Sequence, residues 1–524
     1  MSASLLGSLT VGFIAIYIAM VFLSQKKTLV PLPPGPRPKP IVGNLGDLPK
    51  SSEPGWLHFA KYKDLYGPIS SLTAFGQTLI ILNEPRLAFE LLEKRSAKYS
   101  SRPHLVYASE LVGWKCFLVL TPYNDRFRAY RKAIHRGIGS KVAVSQFNHV
   151  QEVEARRFLL RVLQNPDGLF HHVRKETGAI ILKIAYGYTV EPHKNDPLVD
   201  LADTALEQLC LATLPGAWLV DVIPILKYLP AWFPGAGFKQ TAKAWRDTLA
   251  AFGGKPYEFV KKQMHYGDYE PSYLSNLLKF GYAKPGSEEE IIAKWSAAAI
   301  YAGGADTTVS SMSCFFLAMI LYPEVQRNAQ EEIDRVVGTH RLPRFEDQES
   351  LPYINALVKE VLRWHPVGAM GFVHLATEED ICEGYRIPKG AQVIPIIWAF
   401  LHDPDIYHDP MTFKPERFLP RDGYTPERDP HEFAFGFGRR SCPGRILADA
   451  NLYISIAQSV AVFNISNPIQ NGQRVDIRPE FRPGIILHPA PFDFNISPRS
   501  TAREELIRSV EREHPWETSH AKDL

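Results

Sequence analysis

The first strong pattern in the chain is an unbroken apolar run from Leu5 to Leu23 that carries no charge. As a helix it spans about 28 Å, close to the hydrocarbon thickness of a bilayer. The run is longer than the core of a secretion leader, and no clear A-x-A cleavage pattern follows it, so residues 1–25 read as a membrane anchor rather than a cleaved signal. Lys26, Lys27, Arg37 and Lys39 come next, and flanking positive charge marks the cytosolic side of a span. Pro31 to Pro40 reads PLPPGPRPKP, which proline keeps extended. Residues 26–50 are therefore expected to form a stiff basic hinge, and residues 51–524 one body without internal repeats.

Within the body, helical periodicity dominates. The clearest helix opens at Ser287, with Glu290 three residues on as a capping box and Pro285 just outside. It runs to Tyr322 and stops at Pro323. A second membrane span competes for this stretch, because Trp295 to Tyr322 carries one charge, Asp306. A carboxylate at mid-bilayer costs about 2.5–3.5 kcal/mol, and Gly303 and Gly304 weaken the span further, so a buried core helix is expected. Further helices are expected near 324–337, 353–364 (ended by Pro366) and 445–463. Strand-like runs lie near 69–82 and 385–396, and weakly near 484–488. The fold class is mostly α with a small β region, plus the N-terminal transmembrane helix.

Charge and cysteine content narrow the function. The chain has 59 basic and 56 acidic residues, a net charge of +3, which argues against a nucleic-acid partner. The five cysteines, Cys116, Cys210, Cys314, Cys382 and Cys442, are widely spaced and odd in number, with no C-x-x-C. This is no disulfide framework, and it fits a body in the reducing cytosol. The sequons at Asn464 and Asn495 would then be out of reach of glycosylation.

One cysteine stands in unusual company, FAFGFGRRSCPGRILADA. A buried free cysteine is ordinarily a small hydrophobe. Here Gly436 and Gly438 let the backbone turn sharply, and Cys442 precedes a helix whose positive end favours a thiolate. Pro443 suits a first helical turn, Gly444 allows close approach of a flat cofactor, and Arg440 can pair with a carboxylate on it. The spacing Phe435-Gly436-x-Gly438-x-Arg440-x-Cys442-x-Gly444 resembles the haem-binding loop of the cytochrome P450 family. Three more motifs agree in order: Gly303-Gly304-Ala305-Asp306-Thr307-Thr308, Lys359-Glu360-Val361-Leu362-Arg363 and Phe413-Lys414-Pro415-Glu416-Arg417-Phe418. Leu226 to Gly235, LKYLPAWFPG, is similar to fungal secondary-metabolism members.

The resemblance implies a P450 fold around haem b, with Cys442 as the axial thiolate to iron. It implies a buried triad of Glu360, Arg363 and Arg417; a surface ion pair is the bland alternative for Glu360 and Arg363. Asp306 and Thr307 become a proton-delivery pair for bound oxygen. The alternatives are a satisfied core carboxylate and a threonine bonded to a carbonyl one turn back. Arg131 and His374 would meet the haem carboxylates with Arg440. At Phe127 the family has tryptophan, so one N–H donor is absent; a surface position is the alternative for His374. Alignment places Ala299, Ala302, Met370, Phe372, Ile485 and Ile486 on the substrate side, which is apolar. The aromatic and aliphatic run from Trp218 to Phe238 suits either core or a second membrane contact.

The expected activity is oxidation of a lipophilic small molecule, with O2 and electrons from an NADPH-dependent flavoprotein reductase, since the body carries no flavin or dinucleotide motif. The expected location is the endoplasmic reticulum membrane, single-pass, with a cytosolic catalytic domain. A haem-thiolate isomerase or dehydratase, or a membrane haem sensor, stays open as an alternative.

Overall fold

The computed structural model describes residues 30–524 except 51–52, 215, 280–283, 471–472 and 483, and the expected anchor lies outside the described residues. Near the start, strands β1 (Ile69–Ala74) and β2 (Gln77–Leu82) form an antiparallel hairpin, with Ile69 opposite Leu82. Phe75 and Gly76 take positive φ in the two-residue turn, the geometry that matches strand twist. Two later strands complete the sheet: β3 (His374–Leu375) and β4 (Gln392–Pro395). The order is β1-β2-β4-β3, with β2 and β4 parallel. The expected 385–396 run divides, its first part, Tyr385–Ile387, pairing with Asp380–Cys382 in a separate hairpin.

The proline-rich stretch is laid on this sheet. Proline has no N–H, but its carbonyl still accepts. Ser71 N–H donates to Pro34 O (2.8 Å) and its hydroxyl to Pro33 O (2.6 Å), while Arg386 N–H donates to Pro31 O (2.7 Å). A Cβ on Gly35 would sit 1.8 Å from Ser71 O, so only glycine permits the approach. From Pro31 onward this stretch is bound to the body rather than spanning free of it.

Among the helices, six position the site: α1 (Asp125–Ile138), α2 (Leu169–Tyr186), α3 (Pro197–Ala212), α4 (Glu288–Leu321), α5 (Pro352–Trp364) and α6 (Arg445–Val462). A further helix, Pro323–Val336, follows α4 directly. At 34 residues, α4 crosses the whole body as expected of a core helix, and most of its apolar stretch is buried. Its cap differs from the expected box. Ser287 Oγ accepts from Glu290 N–H (3.1 Å), but the Glu290 carboxylate reaches Gly286 N–H (2.7 Å) instead of the capping residue.

Near the carboxyl end, β5 (Phe481–Arg482) and β6 (His488–Pro489) form a short antiparallel hairpin against α4. The expected strand at 484–488 is mostly bend, since a Cβ on Gly484 would lie 2.8 Å from Ile486 O. Pairing resumes only at His488. The Leu487 N–H donates to Val367 O (2.9 Å), and the Ser310 hydroxyl of α4 donates to Leu487 O.

Candidate active site

The cysteine loop is shaped by backbone demands. Gly436 and Gly438 have φ of 72° and 53°, a region that L side chains rarely adopt. A Cβ on Gly438 would also meet Leu92 O at 2.4 Å. Cys442 N–H donates to Phe435 O (2.7 Å), which closes the loop. Gly444 is the N-cap of α6, which begins at Arg445, so Pro443 precedes the cap instead of lying in the first turn. Of the five cysteines, Cys442 alone is exposed; Cys116 and Cys210 are half-buried, Cys314 and Cys382 buried. Its sulfur is accessible yet walled by protein. Burial pushes the thiol above its ordinary range, while the Gly444 N–H, Arg131 and Arg445 pull the other way without winning. The helix end therefore does not by itself yield the expected thiolate; a bound metal ion's charge would.

Beside the loop lies a cluster of basic side chains without an acidic partner among the described residues. Arg440 donates to Ser100 O (2.6 Å) and Thr121 O (2.7 Å) and lies over the Phe127 ring, 3.8 Å from its centroid. Arg131 donates to Ser441 O (2.6 Å). Arg102, buried, donates to Val119, Phe372 and Val373 carbonyls. His374 is buried, not on the surface, and its Nδ1 faces Tyr99 O at 2.8 Å; a carbonyl only accepts, so Nδ1 carries the proton. Burial lowers all four groups. Arg102 falls to about 9, and Arg440 falls to about 8 with help from Arg102 and Arg131. Three crowded guanidiniums, of Arg102 (buried), Arg131 and Arg440 (half-buried), held by carbonyls and by the Phe127 ring, fit a ligand that brings carboxylates. This donor set and the accessible thiol suit haem.

Glu360, Arg363 and Arg417 converge, each 0–1% exposed. Arg363 grips Glu360 with both Nε (2.7 Å) and Nη2 (2.9 Å), and Arg417 Nε lies 3.3 Å from it. The two guanidiniums also hold the carbonyls of Leu401, Pro410, Thr412, His408 and Asp409. Glu427, 2.6 Å from Arg417, balances the second cation. The sequence singled out neither it nor Arg102, because both lie outside any periodic pattern.

In α4, Gly303 is exposed between buried Ala302 and half-buried Gly304, and nothing lies within 4 Å of where its Cβ would be. That opening in a buried helix marks a recess. Gly304 lets α4 pack closely on α2: its Cβ would be 2.4 Å from the Ile181 side chain. Thr307 Oγ1 donates to Gly303 O (2.6 Å), and Asp306 pairs with His488 (3.0 Å), a partner the sequence did not disclose. Ala302 is buried and Ala299 half-buried in one apolar cluster with α2. Met370 packs near Trp56 and Leu487, while Phe372 is exposed beneath Arg102. Ile485 and Ile486 are half-buried, their N–H groups close to the Cys210 thiol.

The run from Trp218 to Phe238 separates in two. Trp218 stacks on Tyr107 at 3.5 Å, but Leu219, Ile225, Tyr228 and Trp232 are 68–80% exposed.

A family model described as Cytochrome P450 matches residues 33–496. The chain is 53% identical over 504 residues to the cytochrome P450 monooxygenase ppsD of Aspergillus oryzae, covering 96% of this chain and 95% of that one. It is 48% identical over 514 residues to the cytochrome P450 monooxygenase claR of Ampulloclitocybe clavipes, covering 98% and 94%. It is 45% identical over 513 residues to O-methylsterigmatocystin oxidoreductase of Aspergillus flavus, covering 98% and 96%.

Proposed function

The chain belongs to the cytochrome P450 family and is a haem-thiolate monooxygenase, and we propose that it oxidises a bulky lipophilic secondary metabolite at a haem b held by Cys442. The observation that carries this reading is the accessible Cys442 beside a cation cluster that has no acid partner among the described residues. Haem bound there supplies the iron at which oxygen is activated, and a thiolate ligand favours O–O cleavage.

The protein's own groups do the rest. Cys442 provides the sulfur ligand. Arg102, Arg131, His374 and Arg440 take the cofactor's carboxylates, which relieves their crowding. Phe435, Gly436, Gly438 and Gly444 shape the loop that presents the sulfur. Glu360, Arg363 and Arg417 anchor the segment leading to that loop. Thr307 and Asp306 bring a proton to the recess at Gly303. Ala299, Ala302, Met370, Phe372, Ile485 and Ile486 form the apolar substrate side. A relative named for oxidising O-methylsterigmatocystin supports a large apolar substrate.

Electrons come from a redox partner, which we take to be an NADPH-dependent flavoprotein reductase. Residues 1–25 anchor the chain in the endoplasmic reticulum membrane with the body cytosolic. The exposed side chains of Leu219, Ile225, Tyr228 and Trp232 add a second contact with the bilayer. The test is substrate-dependent NADPH and oxygen consumption by membranes that contain this protein and a reductase. Product formed without NADPH would favour an electron-independent isomerase or dehydratase.

A further inference from the structure

Asp306 is not a lone carboxylate in α4. Its Oδ1 lies 3.0 Å from Nε2 of His488 on β6, with both side chains half-buried. The strand is fixed at that place, because Leu487 is held on one side by Val367 and on the other by Ser310 of α4. From α3, Asp203 faces the same pair: burial raises its carboxyl to about 6, Arg174 of α2 (3.2 Å away) opposes the rise, and Asp306 reinforces it. The remaining titratable or charged groups near His488 are His365 at the end of α5, which feels His488, and exposed Arg482, opposite it in the ladder. Cys210 of α3 is close to Asp306. One residue beyond Asp306 stands Thr307, bonded to Gly303 O at the recess.

We infer that His488 is the proton donor to Asp306, with Asp203 and solvent recharging it. The inference rests on the reading that Asp306 and Thr307 serve the oxygen reaction. The imidazolium gives its Nε2 proton to the Asp306 carboxylate. The neutral ring keeps its Nδ1 proton and takes a new one at Nε2 from water or Asp203, so one proton moves inward and no other bond changes. The choice of side chain supports a relay. Arginine or lysine would make an equal ion pair but would hold its proton throughout the physiological range. Histidine is the side chain that gives up and regains a proton there. A tie between hairpin and helix needs no such property, and glutamine would serve it, since its amide also donates to a carboxylate.

The test uses the full-length haem-loaded protein with a reductase and no added substrate, from pH 6 to 9. The readouts are the share of NADPH electrons leaving as peroxide and the solvent isotope effect on NADPH oxidation. His488→Gln and His488→Lys are expected to raise both, to slow proton-limited oxidation roughly tenfold, and to lose the parent's alkaline limb. The low end of the usual range applies because water can replace part of the relay. A second readout needs no turnover. In the diamagnetic ferrous carbon monoxide complex with 13C-labelled histidine, Asp306→Asn should shift the His488 ring carbons. A His488→Gln protein with the parent's peroxide share and isotope effect overturns the relay and leaves a structural tie. So does a His488 ring whose carbon shifts are unchanged by Asp306→Asn. Thr307→Ala separates the two levels. If it raises peroxide while His488→Gln does not, only the relay falls; if it too changes nothing, the reading of Asp306 and Thr307 falls and takes the relay with it.

Discussion

The guanidinium of Arg440 lies over the Phe127 ring, 3.8 Å from its centroid. The family's tryptophan at this position would offer an N–H to the cofactor; phenylalanine offers only its face. That face carries a cation which burial otherwise lowers to about 8. A desolvated cation over an aromatic ring is stabilised by about 2 kcal/mol. Phe127 thus orients the group proposed to meet a carboxylate instead of offering a donor itself. Phe127→Ala should weaken haem retention, measured as the rate of haem transfer to apomyoglobin. Phe127→Trp should retain haem at least as well, having a larger face and an added donor. Equal transfer rates for the parent and Phe127→Ala would show that the stack contributes nothing.

Cys442→Ala should abolish the red-shifted Soret band of the reduced carbon monoxide complex, which reports a thiolate opposite the ligand. Cys116, Cys210, Cys314 and Cys382 are half-buried or buried in the fold. Replacing each by serine or alanine should leave the band in place. A band that survives in Cys442→Ala would remove the sulfur assignment.

The Glu360 carboxylate is wholly buried between two arginines. Removing one member leaves charge without its partner, at a cost of about 3–5 kcal/mol. Glu360→Gln and Arg417→Ala should therefore give little haem-loaded protein, read from the carbon monoxide spectrum per milligram purified. Glu427→Gln should cost less, because its side chain reaches solvent and Arg417 keeps Glu360 and three carbonyls. A Glu427→Gln yield as low as that of Glu360→Gln would make the cluster a four-member unit.

The helical core was legible because its signals are local. Ser287 caps α4, Pro323 ends it, and the apolar stretch between lacks the charge pattern of a surface helix. The cysteine loop was legible because each glycine answers a backbone need that sequence spacing preserves. What escaped depends on segments far apart in the chain. Arg102 sits in no periodic pattern and meets Arg440 only through the fold. His488 reaches Asp306 across 182 positions of sequence, on a hairpin whose strands are two residues each. Gly304 shows the same limit: a helical glycine signals close approach, but that the neighbour is Ile181 is decided by packing.

His431 gives a pH-dependent prediction. Its Nδ1 lies 2.6 Å from Asp429 and its Nε2 2.7 Å from Asp449 of α6, while its ring stacks on Phe435 of the cysteine loop. Burial alone would lower this histidine, but the two carboxylates outweigh burial and raise it to about 9. Asp429 is held below the usual carboxylate range: burial opposes that, and the bonds from His431 and Lys359 prevail. The raised histidine stabilises the fold fully below its unfolded value of about 6.5, and that stability is lost as pH rises through about 9. The depressed aspartate contributes above its unfolded value of about 3.9, and its share is lost as pH falls below it. The clamp is therefore strongest between these limits and fades from neutral to alkaline pH. Because Asp429 and Asp449 are more than a third exposed, the full shift is discounted to about 1–2 kcal/mol. His431→Gln keeps the ring position polar but removes the charge. Thermal unfolding of the haem-loaded pair should show the parent more stable near pH 6, with the two midpoints converging towards pH 9.5. Parallel midpoints across that range would mean that His431 is held by packing on Phe435, with its charge irrelevant to the loop.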